Sequence, residues 1–400
     1  MDKEEKPSAY NLTTDFCRER LKFALCIGLI FGFLFLTRRV TANEDDTADF
    51  QAMVNNAIAA NQPIILPAGN IVLSSTINFN SDPATSLDGN FLGGLVFEGA
   101  GPGRTNIIWN GPAEESIFQF CHLKSARIGN FWIYGAPALA DLDFQGCGST
   151  SGNILTNIVT SNAAKYGVRL GTPPDVSEVS ETSLRQVWVY DATAAAFQLN
   201  GQMTLNTNFY NSGCAADAVC VSTSTLTDPD AVQAGGNFNF FGGSISDSPP
   251  TNTPVTAGSA TFLLGLGETF NFAGVRVEDS GPLFGTGGPT DTGPESQIAM
   301  NINWTGGMYV NCKWPDVSTH IINYDAGGSF FSSGSQWVGQ GQFWFGPQTS
   351  LVSFAGDVFS VCSPGGVGKG KKEDLAGYFG EARQILRKRL ITRGLVDLPR

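Results

Sequence analysis

The chain is poor in charge, in histidine and in long apolar runs, and each shortage removes a class of protein. Charged residues make up 15 % of its 400 positions, too few for the continuous charged faces of long surface helices or coiled coils, so long helices should be few. Only two histidines are present, His122 and His320. The setting of His122, Phe120-Cys121-His122-Leu123, suits a structural wall or core position better than a catalytic one. The eight cysteines match no zinc-ligand spacing. The one marked apolar run, Phe23 to Leu36, is shorter than the roughly 17 to 25 residues of a spanning helix.

What the chain has instead is glycine and phenylalanine, 48 and 29 of them, the composition of a turn-rich, aromatic-stacked β protein. Its charge is unevenly divided. Residues 1–40 hold 7 basic and 5 acidic groups, residues 41–363 hold 8 and 27, and residues 364–400 hold 9 and 4. An acidic body of that size repels a polyanion, which excludes nucleic acid as its partner. A neutral glycan, or an acidic one bridged by a cation, is compatible with it.

Arg18, Arg20 and Lys22 precede the apolar run, and Val40-Thr41-Ala42 offers a small-residue cleavage site before Asn43. Residues 1–42 therefore read as an export leader. The run's length suits a cleaved signal peptide, while Arg38-Arg39 suits a retained anchor holding the membrane through residues 23–37. Either way the body, residues 43–363, is expected outside the cytosol, secreted or at the cell surface. There Cys214 and Cys220 can bridge a short loop or remain buried thiols.

An asparagine followed by an apolar residue recurs down the body: Asn130-Phe131, Asn157-Ile158, Asn208-Phe209, Asn239-Phe240, Asn271-Phe272 and Asn303-Trp304. Gln186-Val187 and Ser329-Phe330 are taken to fill the same slot. The intervals, 22 to 32 residues, are those of a coil with variable loops. Stacked coils lie about 4.8 Å apart, so each residue sits on its counterpart. Asparagine tolerates the left-handed backbone of a tight turn, and its amide can bond to the amides above and below. The following hydrophobe points inward into a continuous stack. The pattern predicts an all-β protein, a single-stranded right-handed parallel β-helix. Residues 47–60 are expected to form an N-terminal capping helix, with Asp46 as its cap residue. Residues 364–400 are expected to form a Gly/Lys linker and a short basic amphipathic helix that caps the last coil or pairs with another subunit.

Asp45-Asp46-Thr47-Ala48-Asp49-Phe50-Gln51, then Ile65-Leu66-Pro67-Ala68-Gly69 and Leu95-Val96-Phe97-Glu98-Gly99, resemble the opening segment and first coil of the pectate-lyase-like superfamily. That superfamily includes polysaccharide lyases, polygalacturonase-like hydrolases and phage tailspike depolymerases. The resemblance implies a polysaccharide partner and, by analogy with tailspikes, a homotrimer. Neither the paired aspartates with Gly-His-Gly of polygalacturonases nor the arginine-centred lyase motif is found, so fold is implied more strongly than activity.

The repeat's own offer of chemistry is acidic. Asp247 and Asp279 occupy equivalent positions in adjacent coils with Glu278 beside them, an arrangement suited to general acid catalysis in a glycoside hydrolase or to holding Ca2+. The same residues also suit turns that end each strand. Arg276 is a candidate substrate contact, and Trp188, Tyr190, Trp337 and Trp344 are candidates to stack on sugar rings or to fill the core. The expected function is an exported carbohydrate-active protein that binds and cleaves a polysaccharide along the β-helix flank. The alternative is a non-catalytic β-helical surface or virion spike.

Overall fold

The computed structural model describes residues 45–79 and 92–145 and then the strands and tight turns as far as residue 368. Residues 1–44, 80–91, 172–177, 224–235, 250–259, 287–300, 312–319 and 369–400, with shorter stretches between strands, lie outside the described residues. The expected leader and C-terminal helix fall there.

The body is a parallel β-helix, with three sheets of 20, 10 and 4 strands among the described residues. Its register realises the gapless alignment of the three longest coils. Asn237–Phe241 pairs with Thr269–Ala273, and that strand with Asn301–Thr305, which sets Asn239 on Asn271 on Asn303 and Phe240 on Phe272 on Trp304. The amides form a ladder: Asn239 Nδ2 donates to Asn208 Oδ1 (3.0 Å), Asn271 to Asn239 (2.9 Å) and Asn303 to Asn271 (2.8 Å). Asn303, first residue of the body's one glycosylation triplet, thus already spends an amide proton inside the ladder. The rings behind stack at centroid spacings of 4.4 Å (Phe209–Phe240) and 4.6 Å (Phe240–Phe272), and Trp304 continues the column tilted against Phe272 at 5.2 Å. All four are buried in the single main core.

The asparagines, however, occupy two slots rather than one. Asn130 and Asn157 have left-handed backbones, with φ of 62° and 52°, as expected, and their amides are bonded at 2.9 Å. That slot continues through Gln186 (55°) and Asn211 (48°) and then becomes glycine, at Gly242, Gly274, Gly306, Gly334 and Gly356. Asn208 pairs with Ser183 rather than with Gln186, and Ser329 with Asn301 rather than with Asn303. Asn208, Asn239, Asn271 and Asn303 therefore sit three residues ahead of the bend, on the strand. The bend needs positive φ, which glycine supplies at no steric cost. The ladder needs only an amide every coil, and on the strand it runs from Asn208, one coil before glycine takes the corner at Gly242.

The first coil is covered by helix α1, Thr47–Ala59, as expected, with Thr47, Phe50 and Val54 buried. Phe50 rests on Phe97 and Phe118, at 6.2 and 5.9 Å between ring centroids. Asp46 makes no side-chain cap; it is held instead by the neighbouring strand, its Oδ2 accepting from the Val72 amide at 3.1 Å. Asp45 serves the helix start, accepting from the Thr47 amide (3.0 Å) and from the Thr47 and Ser74 hydroxyls. Those hydrogen bonds, Ser74's foremost, hold the Asp45 carboxyl below the usual carboxylate range. At the other end Gly366–Gly368 folds back antiparallel on Val358–Ser363, the one antiparallel pairing among the described residues. An open edge there would invite pairing with another chain.

Cys214 and Cys220 form a disulfide, which settles the alternatives left by the sequence, and Cys121 bonds to Cys147. The second pair was not anticipated. Its separation of 26 residues is close to one coil, so it ties one turn to the next.

Replacing Phe272 by alanine removes one plate of the stack and should cost about 3–5 kcal/mol. Phe241→Ala, on the same sheet but facing outward, should cost less than about 0.5 kcal/mol. Denaturant unfolding of both variants measures the difference.

Candidate functional site

The sheet register collects the predicted site residues on one flank. Each strand leaving the left-handed bend presents two outward positions and then a corner. The first outward column runs Trp132, Val159, Trp188, Gly213, Ser244, Arg276, Met308 and Gln336. The second runs Tyr134, Ser161, Tyr190, Ala215, Ser246, Glu278 and Val310. The corner that follows carries Asn162, Asp191, Ala216, Asp247 and Asp279, all with left-handed backbones of φ between 42° and 66°. Trp188, Tyr190, Arg276, Glu278, Asp247 and Asp279 therefore share one surface.

Their spacing along the axis is set by the coil. From Trp188 and Tyr190 to Arg276 and Glu278 is three coils, about 14 Å at one strand spacing each. Between them the outward residues are small: Gly213 and Ala215, then Ser244 and Ser246. Gly213 has to be glycine, since a Cβ there would lie 1.9 Å from the Ser244 carbonyl oxygen. The flank is thus low in the middle, aromatic at one end, where Asp191 also stands at the corner, and carries Arg276, Glu278, Asp247 and Asp279 towards the other. Trp132 and Tyr134 extend the aromatic end, their rings 5.6 Å apart and nearly parallel, with Trp132 Nε1 donating to Ser161 Oγ at 3.0 Å.

At the charged end Arg276 and Glu278 form an ion pair within one strand, and both side chains are partly exposed. Asp247 and Asp279 lie on adjacent rungs of the corner, half-buried. Asparagine and alanine fill the same corner in earlier coils, at Asn162 and Ala216, so the turn role expected of these aspartates is met. Among the described residues no group of three or more His, Cys, Asp or Glu gathers closely enough to hold a metal ion.

Two carboxyls escaped the sequence reading. Asp217 lies buried just after the corner, accepting from the Ala192 amide at 2.6 Å, while its own amide donates to Ser248 Oγ and the Ser248 amide to Ser280 Oγ, both at 3.1 Å. Burial above all, with the Asp191 charge adding to it, pushes the Asp217 carboxyl up to about 8. Burial, and behind it the charge of Asp217, likewise raises the Tyr190 phenol. Asp141 is fully buried against Gly135, whose missing Cβ makes room for it, and burial lifts its carboxyl well above the usual range. The 31-residue step from Asp217 to Ser248 was a legible signal for the ladder, but burial was not.

Other candidates fall elsewhere. Trp337 is buried in the core, 5.9 Å from Trp304, and is not a sugar platform. Trp344 lies on the strand Gln342–Phe345, but its side chain is outside the described set. His122 is buried at a left-handed corner, in keeping with a structural role.

No protein-family model and no curated protein matches the chain. Among solved structures, endo-xylogalacturonan hydrolase from Aspergillus tubingensis is similar over 82 % of this chain and 92 % of its own, with 9 % identity and a TM-score of 0.51. The two share a parallel β-helix fold. The Agl-KA catalytic domain is matched over 80 % of this chain and 66 % of its own at 13 % identity and a TM-score of 0.44. For the Azotobacter vinelandii mannuronan C-5 epimerase AlgE4 A-module the shares are 80 % and 95 %, at 12 % identity and a TM-score of 0.37. At these identities the likeness concerns the fold alone.

Asp217 gives the flank a pH signature. Its folded pKa of about 8 stands above the unfolded carboxylate value of about 3.9, so the folded state holds a proton that the unfolded chain releases in between. Stability should be greatest below pH 4 from this group and fall as pH rises to about 8, with Asp141 acting in the same direction. Asp217→Asn should flatten the melting temperature against pH over that window and raise it at pH 8; an unchanged slope would contradict the assignment.

Proposed function

We propose that the protein is an exported, carbohydrate-active β-helix that binds a polysaccharide along this flank and cleaves it at the acidic end. The observation that carries the reading is the shared surface: outward aromatics, a low floor of glycine, alanine and serine, and carboxylates three coils further on. Aromatic rings stack on the C–H faces of sugars, and the span of about 14 Å from the aromatic pair to the charged pair accepts a short run of them. The similarity in fold to a xylogalacturonan hydrolase supports a glycan as the partner.

In this reading Trp188 and Tyr190 hold the chain and Arg276 orients Glu278 while contacting sugar hydroxyls. Asp247 and Asp279, on neighbouring rungs about 4.8 Å apart along the axis, then act as a pair. One carboxylic acid protonates the glycosidic oxygen while the other attacks the anomeric carbon or activates water. Two disulfides in the body support export into an oxidising compartment.

A second reading, a non-catalytic spike or shaft, draws on Asn162 and Ala216, which fill the aspartate corner without a carboxyl. Incubation with a panel of glycans, with and without Ca2+, separates the two. Release of reducing ends or of unsaturated products, lost by at least about 100-fold in Asp279→Ala and Glu278→Ala, supports cleavage at this end. Full activity in both variants removes these residues from the chemistry, and binding without turnover favours the shaft.

A further inference from the structure

On the other side of the glycine bend lies a second outward face with different chemistry. It is built by Thr207–Tyr210, Asn237–Phe241, Thr269–Ala273, Asn301–Thr305, Ser329–Ser333 and Leu351–Ala355. None of these strands contains a charged residue or a histidine, although residues 41–363 carry 27 acidic groups. Among the described residues, four of the exposed large hydrophobics stand on it: Tyr210, Phe241, Phe331 and Leu351, between 37 % and 48 % exposed. Tyr210 and Phe241 stack at 5.1 Å, and the Arg185 guanidinium lies 5.3 Å from the Tyr210 ring centroid.

Through the middle runs the asparagine ladder. A primary amide has two N–H donors and an oxygen with two lone pairs. For Asn239 and Asn271 the ladder engages one donor and one lone pair, which leaves one of each to point away from the sheet. A sugar hydroxyl, which both donates and accepts, matches that pair on successive rungs.

We infer that this face binds a neutral, linear polysaccharide laid along the helix axis, its rings on Tyr210, Phe241 and Phe331 and its hydroxyls on the asparagine amides. An acidic glycan would need cations, and the face supplies none beyond Arg185 at its margin. A second copy of the chain is the other natural occupant of an uncharged face. Five strand spacings by five residues give only about 400 Å², roughly half of the 800 Å² per partner of a standard stable interface. The inference rests on the polysaccharide reading but assigns a separate surface and a substrate class.

Affinity electrophoresis of the whole chain in gels containing a neutral glucan, xylan or galactan, against polygalacturonate and alginate, is the test, with sedimentation velocity alongside. Binding is expected to a neutral glycan, weakened about tenfold by Tyr210→Ala or Phe241→Ala and also by Ala273→Arg, which plants a bulky charge in the track. Asn55→Ala, exposed on helix α1 away from both surfaces, should bind as the parent does. Neutral-glycan affinity unchanged in all three face variants overturns the inference, as does an oligomer that those variants dissociate. Loss of binding in Trp188→Ala alone would overturn it while sparing the flank reading, whereas no binding to any glycan would sink both.

Discussion

Everything in this molecule depends on each coil setting its side chains directly above those of the coil below. A parallel strand pair fixes the spacing, and the period of two fixes which face each residue takes. Slipping Asn271–Phe272 by one residue against Asn239–Phe240 would turn a ring of the core stack to solvent and an amide into the interior. That penalty recurs at every coil, so the register tolerates loops of different length between strands without yielding itself. In-register steps of 31, 32, 32 and 28 residues follow one another along the bend, at Asn211, Gly242, Gly274, Gly306 and Gly334, yet the ladder amides stay within 3.0 Å.

The same constraint explains what could be read from the sequence. The three gapless units around Asn239, Asn271 and Asn303 gave the fold because their spacing is constant and their outward and inward residues alternate. The asparagines change slot between Gln186 and Asn208, and Ser329 falls two residues short of the ladder position at Phe331, because residue identity does not reveal φ. Asparagine serves the left-handed bend in early coils and the strand ladder in later ones, and the true continuation, Asn211 and then the glycines, lay three residues on. The hydrophobes following the misplaced residues, Phe209 and Phe330, still point inward, since Phe330 falls beside Ile302 rather than Trp304. Cys121 and Cys147 stand about one coil apart and were legible as a bridge once coil length was known. Asp217 and Asp141 were not, because a carboxyl accepting from a buried amide looks like any other aspartate in a turn-rich sequence.

Registry also turns scattered residues into surfaces. Trp188 and Glu278 are 90 positions apart in the chain but three coils apart in space, with only small side chains between. The flank that carries them and the uncharged ladder face meet at the glycine bend, so the body offers two adjoining strips of contrasting chemistry. One is acidic and aromatic, the other neutral and amide-rich. Aspartate at the corner first answers a backbone need for left-handed geometry; any catalytic use is built on a position the fold already favours.

The most direct measurement is cysteine crosslinking across the ladder face under mild oxidation. Asn237→Cys paired with Thr269→Cys joins register partners, whose Cα atoms sit within the 4.4–6.8 Å span of a disulfide at one strand spacing of about 4.8 Å. Asn237→Cys paired with Asn271→Cys is displaced by two residues, beyond about 7 Å. Rapid bridging of the first pair and none of the second is the expected result. Equal bridging of both, or preference for the second, would contradict the vertical registry on which the core, the ladder and both surfaces stand.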